Sequence, residues 1–129
     1  AIQELVIDIY KNLLSKDHSS IISFYQGNKL LEDQEKSDFF INLLIIYQRD
    51  ILNQMAGIEE ELVFINQKEI ITRLAKKITK QQAQLYLKEM LELASRLKFN
   101  INTSLAFNQL LMSLERGYKY AAHSRSDSI

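Results

Sequence analysis

The stretch TKQQAQLYLKEMLELASRLKFNINTSLAFNQLLMSL, residues 79–114, decides the fold because it holds two amphipathic segments around a short polar turn. In the second segment, apolar residues recur at the spacing of one face of an α-helix: Phe107, Leu110, Leu111 and Leu114. The first segment carries a similar row: Leu87, Met90, Leu91, Ala94 and Leu97. The stretch therefore predicts two helices joined at residues 98–102.

Two asparagines in the joining segment predict how the chain turns. Asn tolerates the left-handed conformation that ends a helix, so we expect Asn100 to stop the first helix. We expect Asn102 to cap the second helix, its side-chain oxygen accepting a hydrogen bond from an N–H group one turn further on. The two helices would then fold back against each other.

Three helices are predicted in the first half of the chain. The first covers residues 2–14, and the second begins within residues 16–20 and ends at Gly27. The third opens at Asp33 and continues to Met55, where Ala56 and Gly57 end it. This third helix is apolar on more than one side, which is typical of a helix at the centre of a bundle.

Capping signals predict the remaining helix boundaries. Residues 58–65 form a packed connector or a short helix, and residues 66–69 form a capping box that opens the fourth helix, with Ile65 and Ile70 as a hydrophobic staple. Residues 79–82 repeat the box and open the fifth helix, and Gly117 stops the sixth. The sequence therefore predicts an all-α protein, a single bundle of five to six helices over residues 1–117, with a flexible tail over residues 118–129.

Composition excludes several classes of protein. The 129 residues suit one globular domain, with 47% apolar and 25% charged residues. The chain has no cysteine, which removes disulfides, thiolate catalysis and cysteine-based zinc sites. Its longest apolar run, residues 39–47, is far shorter than the roughly 20 residues of a membrane span. We expect a cytoplasmic protein without membrane contact.

No stretch of the sequence has the pattern of an active site. A phosphate-binding loop needs closely spaced glycines, but Gly27, Gly57 and Gly117 stand far apart at predicted helix ends. The two histidines, His18 and His123, fall in a predicted loop and the tail, away from further metal ligands. We expect no catalytic residue, no metal and no cofactor.

The charges are unevenly distributed although the chain is neutral overall. Residues 1–65 contain 5 basic and 11 acidic side chains, whereas residues 66–129 contain 11 basic and 5 acidic ones. Lys76, Lys77 and Lys80 form the densest basic cluster. Attraction between two halves of one bundle explains this asymmetry, and a nucleic-acid contact is the alternative.

The last two helices contain more apolar residues than one buried row requires. Those outside the main rows are Leu85, Leu93, Leu105 and Met112. Either the bundle buries them all, or they form an apolar patch for a partner.

Two motifs carry a resemblance to a known family. The first is the turn with Leu97, Asn100, Asn102 and Leu105, followed by a final helix with Ala106, Leu110, Leu111 and Leu114. The second is the segment YQRDIL, residues 47–52, with its Arg49-Asp50 pair. Together they resemble the C-terminal region of the bacterial DNA polymerase III delta prime subunit.

The resemblance implies a role in assembly. Delta prime belongs to the clamp loader, which places the sliding clamp on primed DNA during replication, and its C-terminal helical bundle joins those of the other subunits in a collar. The resemblance therefore implies a domain that is not an enzyme by itself but is part of the DNA polymerase III holoenzyme, a nucleotidyltransferase. Its partners would be gamma/tau and delta, without direct DNA contact. Candidate interface residues on the last helix are Leu105, Phe107, Leu110, Leu111 and Leu114.

Two alternatives remain at this point. The collar domain of the related gamma/tau subunit has similar patterning. A small helical nucleic-acid-binding module would instead use the basic C-terminal half. The modules that contact nucleotide and clamp in this family have no counterpart in the sequence, so we expect a C-terminal fragment.

Overall fold

Six α-helices make up the protein in the computed structural model, which describes residues 1–17, 19–27, 33–99 and 102–121. They are α1 (Ile2–Leu14), α2 (Ser20–Gly27), α3 (Gln34–Met55), α4 (Lys68–Ala75), α5 (Lys80–Arg96) and α6 (Thr103–Glu115). No strand occurs in these ranges, so the predicted all-α bundle is confirmed. No helix among the described residues is long and apolar enough to cross a membrane.

Helix α3 lies at the centre of the bundle, as its apolar pattern predicted. It packs against α1, α4 and α5. Its buried side chains extend from Ser37 to Ile51 and include Phe40, Ile41, Leu44 and Tyr47. Such wide burial is what an apolar surface broader than one stripe requires.

An aromatic cluster joins α2, α3 and α6. The ring of Phe40 meets that of Phe107 edge to face, with centroids 4.9 Å apart. Phe24 lies 5.8 Å from Phe107 and 6.0 Å from Phe40, measured between centroids. These contacts bring the last helix against the first half of the chain.

A polar contact reinforces the packing of α6 on α2. The carboxylate of Glu115, the last residue of α6, accepts hydrogen bonds from the Ser20 backbone N–H and from Ser19 Oγ at 2.8 Å. Ser20 is the first residue of α2. Ser19 Oγ also accepts a hydrogen bond from the Ile21 N–H at 3.1 Å, so Ser19 caps α2 locally and Glu115 adds a second acceptor from a distant helix.

Two predicted helix starts are confirmed in atomic detail. Asp33 caps α3 by accepting a hydrogen bond from the Lys36 N–H at 2.8 Å. Thr79 and Gln82 form the predicted capping box of α5, with the Gln82 N–H donating to Thr79 Oγ1 at 3.1 Å and the Thr79 N–H to Gln82 Oε1 at 3.0 Å.

The capping box predicted for α4 is wrong. Residues Ile65–Gln67 form a one-turn 3-10 helix that leads directly into α4, whose start has no side-chain cap. Backbone carbonyls replace the side-chain acceptor, since the Gln67 N–H donates to the Phe64 carbonyl oxygen at 2.9 Å. Ile65 is 73% exposed, so it forms no hydrophobic staple with Ile70.

The predicted stop at Gly117 and the tail boundary at residue 118 also require correction. The chain continues beyond α6 as a π-helical segment, Arg116–Ala121, and Tyr118 is completely buried. A Cβ atom at Gly117 would lie 2.5 Å from Cζ of Tyr86, so glycine is needed here for close packing. Residues 122–129 of the predicted tail, including His123, lie outside the described residues, as does His18.

Candidate interaction surface

The turn between α5 and α6 leads into a helix whose start is capped by a side chain. Asn102 is the N-cap of α6, and its Oδ1 accepts a hydrogen bond from the Leu105 N–H at 3.0 Å. The predicted capping role of Asn102 is therefore confirmed. Asn100, the predicted stop of α5, lies outside the described residues.

Four of the five candidate interface residues belong to the interior of the domain. The exposed fractions are 1% for Phe107, 6% for Leu110 and 0% for both Leu111 and Leu114. Their row faces the rest of the bundle, where α6 packs against α2 and α5. These four side chains cannot form a partner surface while the domain is folded, so for them the prediction is wrong. Only Leu105, at 52% exposed, is accessible.

The outer face of α6 carries two apolar residues that the core leaves exposed. Leu105 and Met112 are about half-exposed and lie two helical turns apart, with exposed Gln109 between them. We call these three residues the outer α6 row. Of the apolar residues outside the main rows, Leu85 is also half-exposed, whereas Leu93 is buried. Three of the four apolar residues outside the main rows are therefore exposed, and the fourth, Leu93, belongs to the core.

Two exposed phenylalanines lie at one end of the bundle and escaped the sequence analysis. Phe39 is 52% exposed near the start of α3, and Phe99 is 70% exposed just after α5. The two helix ends adjoin, since one cleft is lined by Asp38 from α3 and Lys98 from the end of α5. Phe39 belongs to an apolar run whose other members are largely buried, so the sequence offered little to distinguish it.

The groove between α5 and α6 has mixed charge. Glu89 and Glu92 line it together with Arg96 and Arg116. Ser113 Oγ of α6 donates a hydrogen bond to Glu89 Oε2 of α5 at 3.3 Å. With charges of both signs along its walls, the groove has no strong preference for a cation or an anion.

The Arg49-Asp50 pair does not form a common site. Arg49 is exposed, whereas Asp50 is 1% exposed and points into the protein. The Asp50 carboxylate accepts hydrogen bonds from the N–H groups of Val63 at 3.0 Å and Phe64 at 2.7 Å. Asp50 thus fastens the connector between α3 and α4 to α3, which is a structural role.

A buried polar network joins α1, α3 and α5. Tyr10 Oη donates a hydrogen bond to Gln48 Oε1 at 2.9 Å, and Gln48 Nε2 donates to the Ala83 carbonyl oxygen at 3.1 Å. The rings of Tyr10 and Tyr47 stack with centroids 4.0 Å apart. Burial raises the pKa of both tyrosines well above the ordinary value, so both hydroxyls stay protonated at neutral pH. The network orients helices and offers no nucleophile.

Within the described ranges, no three residues of the types His, Cys, Asp and Glu cluster closely enough to hold a metal ion. The exposed apolar residues, which include Phe39 of α3, Leu85 of α5, and Leu105 and Met112 of α6, suit contact with another protein better than chemistry on a small molecule. Comparison of the chain with family models, with curated proteins and with solved structures gave no match.

Proposed function

We propose that this chain is a non-catalytic assembly domain of the bacterial DNA polymerase III clamp loader, from the delta prime subunit, with the collar domain of gamma/tau as the alternative. In this role it packs against the C-terminal domains of the other subunits, gamma/tau and delta, and holds them in order while the complex loads the sliding clamp. The role belongs to the cytoplasm, where replication takes place in bacteria.

The observation that carries the proposal is the outer α6 row. Leu105 and Met112 remain about half-exposed after the core has taken Phe107, Leu111 and Leu114. An apolar row on the last helix of a helical bundle suits side-by-side packing with another helical domain, because each partner can bury the exposed side chains of the other. The all-α architecture and the capped turn at Asn102 agree with the sequence resemblance.

The test is native mass spectrometry of the chain mixed with clamp-loader subunits from the same organism. One mixture lacks only delta prime and a second lacks only gamma/tau. If the chain enters the first mixture and not the second, it fills the delta prime position. We expect a stoichiometric complex that survives moderate salt, since apolar contacts depend little on ionic strength. A chain that stays out of both mixtures would contradict the proposal.

A pair of variants locates the interface. Leu105→Glu combined with Met112→Glu should abolish incorporation and leave the helical circular dichroism signal unchanged, because both side chains are exposed. Ser104→Glu is the matched control, since it adds a charge at an exposed α6 position outside the row. Leu110 is unsuitable for this purpose, because a charge at a buried site would report on folding. Equal incorporation of the double variant and the control would move the interface away from α6.

A further inference from the structure

A cleft of about 380 Å³ opens where the end of α3, the end of α4 and the start of α5 meet. Its apolar lining comes from Met55, Ala75 and Ile78, of which Ile78 is buried and the other two are partly buried. Lys76 and Lys80 also line it and are exposed, so their ammonium groups stand at the rim. We call this site the basic cleft.

The basic cleft differs in charge from two other surface clefts of the bundle. Both of those have charges of each sign, since the groove between α5 and α6 contains two glutamates and two arginines, and the cleft at the opposite end of α3 contains Asp38 and Lys98. No acidic side chain lines the basic cleft. Lys76 and Lys80 make no ion pair within the part of the chain that the structure describes. Their charges are therefore available to a ligand.

A nearby carboxylate is held by other groups. Glu59 forms an ion pair with Lys68 at 2.8 Å and accepts a hydrogen bond from Gln54 Nε2 at 3.3 Å. The Lys68 contact lowers the pKa of the Glu59 carboxyl, which keeps it ionised and paired. The first turn of α5, which begins with Lys80, contains no acidic residue, so the positive end of the helix dipole adds to the potential at the cleft.

We propose that the basic cleft binds a short acidic peptide segment of a protein partner. One apolar side chain of the peptide rests on Met55, Ala75 and Ile78, while carboxylates on either side of it meet Lys76 and Lys80. This site is separate from the outer α6 row and does not depend on the clamp-loader role.

The apolar lining favours a peptide over a nucleic acid. A phosphate backbone would use the two lysines but would leave the apolar lining exposed to water or covered by charged groups. A nucleic-acid surface also needs a denser positive patch than Lys76, Lys77 and Lys80 provide on a chain of zero net charge. An acidic peptide with a leucine or phenylalanine matches both the charge and the apolar lining.

The test uses fluorescence anisotropy with the full chain and a set of labelled eight-residue peptides. Each peptide has glutamates on both sides of a leucine or phenylalanine, at spacings of one to four residues, and each has a partner peptide with glutamine in place of glutamate. We expect saturable binding of at least one acidic peptide, weakened by salt, and much weaker binding of its glutamine partner. If none of the peptides shows saturable binding at concentrations up to about 1 mM, the limit of a very weak interaction, the proposal is overturned.

Variants of the chain assign the binding to this cleft. Lys76→Glu and Lys80→Glu should each weaken binding by about fivefold or more, since each replaces an attraction with a repulsion. Met55→Gln should weaken it through the apolar lining. Lys88→Glu, an exposed α5 residue outside the cleft, is the matched control and should bind normally. An equal loss in Lys88→Glu would show a general charge effect and overturn the assignment.

Two further measurements exclude other occupants. A labelled single-stranded oligonucleotide that binds more tightly than every peptide, and that also loses affinity in Lys76→Glu, would assign the cleft to nucleic acid instead. Sedimentation velocity tests a second copy of this chain, whose exposed Glu60, Glu61 and Val63 form a similar acidic and apolar segment. A dimer that dissociates in Lys80→Glu would make that second copy the occupant and overturn binding of a foreign peptide.

Discussion

The neighbouring Tyr86 side chain limits the space at position 117, which therefore suits glycine, whose side chain is a single hydrogen atom. The Tyr86 hydroxyl and ring occupy the space that a Cβ atom would need. Tyr86 in turn stacks on Tyr118, with ring centroids 6.1 Å apart. The glycine thus allows the segment after α6 to approach α5, and Tyr118 enters the core as a result.

Replacing Gly117 with alanine should therefore destabilise the fold by about 1–3 kcal/mol, the usual cost of overpacking a core. Urea denaturation followed by circular dichroism measures the loss. In a Tyr86→Phe background the same substitution should cost less, because the hydroxyl that meets the new methyl group is gone. An equal cost in both backgrounds would mean that the methyl group finds room without moving Tyr86.

Asn102→Ala should cost about 1 kcal/mol, because the Leu105 N–H loses its side-chain acceptor at the start of α6. Asn102→Ser is the matched control and should retain most of the stability, since serine caps almost as well as asparagine. Thermal melting compares the three proteins. If the alanine variant and the parent have the same melting temperature, water satisfies this N–H group as well as Asn102 does.

Single-residue features were predictable where the cause is local. The caps at Asp33, Thr79 and Asn102 each depend on an acceptor and a donor three residues apart, which the sequence displays directly. The cap expected at Asn66 failed because the backbone before α4 tightened into a 3-10 turn. The role of Gly117 was missed for a different reason, since it depends on a side chain 31 positions earlier in the chain.

Asp50, a residue of α3, fixes the conformation of the connector between α3 and α4. Two one-turn 3-10 helices, Glu59–Glu61 and Ile65–Gln67, flank the short segment that Asp50 holds. Leu62 and Phe64 are buried, while Val63 between them is 65% exposed. The sequence left open an extended connector or a short helix, and the outcome combines features of both.

Asp50→Ala should cost about 2–4 kcal/mol, because it leaves the N–H groups of Val63 and Phe64 without their charged acceptor. Asp50→Asn should cost less, since one oxygen atom remains to accept. Hydrogen exchange adds a local readout, and we expect the Val63 and Phe64 amides to lose protection before the amides of α3. Glu60→Ala, an exposed change in the same connector, is the control. Unchanged exchange at Phe64 in Asp50→Ala would contradict the tethering role.

At the scale of the whole molecule, buried tyrosines make the fold sensitive to alkali. Burial is the largest cause that raises the pKa of Tyr10, Tyr47 and Tyr118 above the ordinary value of 10.0. A tyrosine with a raised pKa in the folded state stabilises the fold below pH 10, and this contribution is lost as the pH rises further, because the unfolded chain releases the proton first. The chain has six tyrosines in all.

We therefore expect stability to fall steeply above about pH 10 and Tyr10, Tyr47 and Tyr118 to ionise only as the chain unfolds. Tyrosinate absorbance and helical circular dichroism, recorded together against pH, provide the measurement. In Tyr10→Phe the fall should be shallower, since one of the coupled groups is removed. Ionisation of all six tyrosines before any loss of helix would contradict this prediction.

The candidate surface could be predicted only in part. Periodicity identifies the apolar rows of α5 and α6, but it does not say which row a neighbouring helix covers. The sequence predicts Phe107 and Leu111 on a partner surface, but spacing alone does not give the bundle geometry, in which α2 and α3 pack against Phe107 of α6. Leu105 and Met112 were correctly noted as excess apolar residues.

The contact between Glu115 and Ser20 has a consequence for how the protein is made. The two residues lie 95 positions apart, so a ribosome adding about 5–20 residues per second exposes α2 for roughly 5–20 s before Glu115 is available to it. Phe107, which packs on Phe24, also arrives late. Until then the start of α2 depends on its local Ser19 cap alone, and the bundle reaches its final form only after nearly the whole of it has been synthesised.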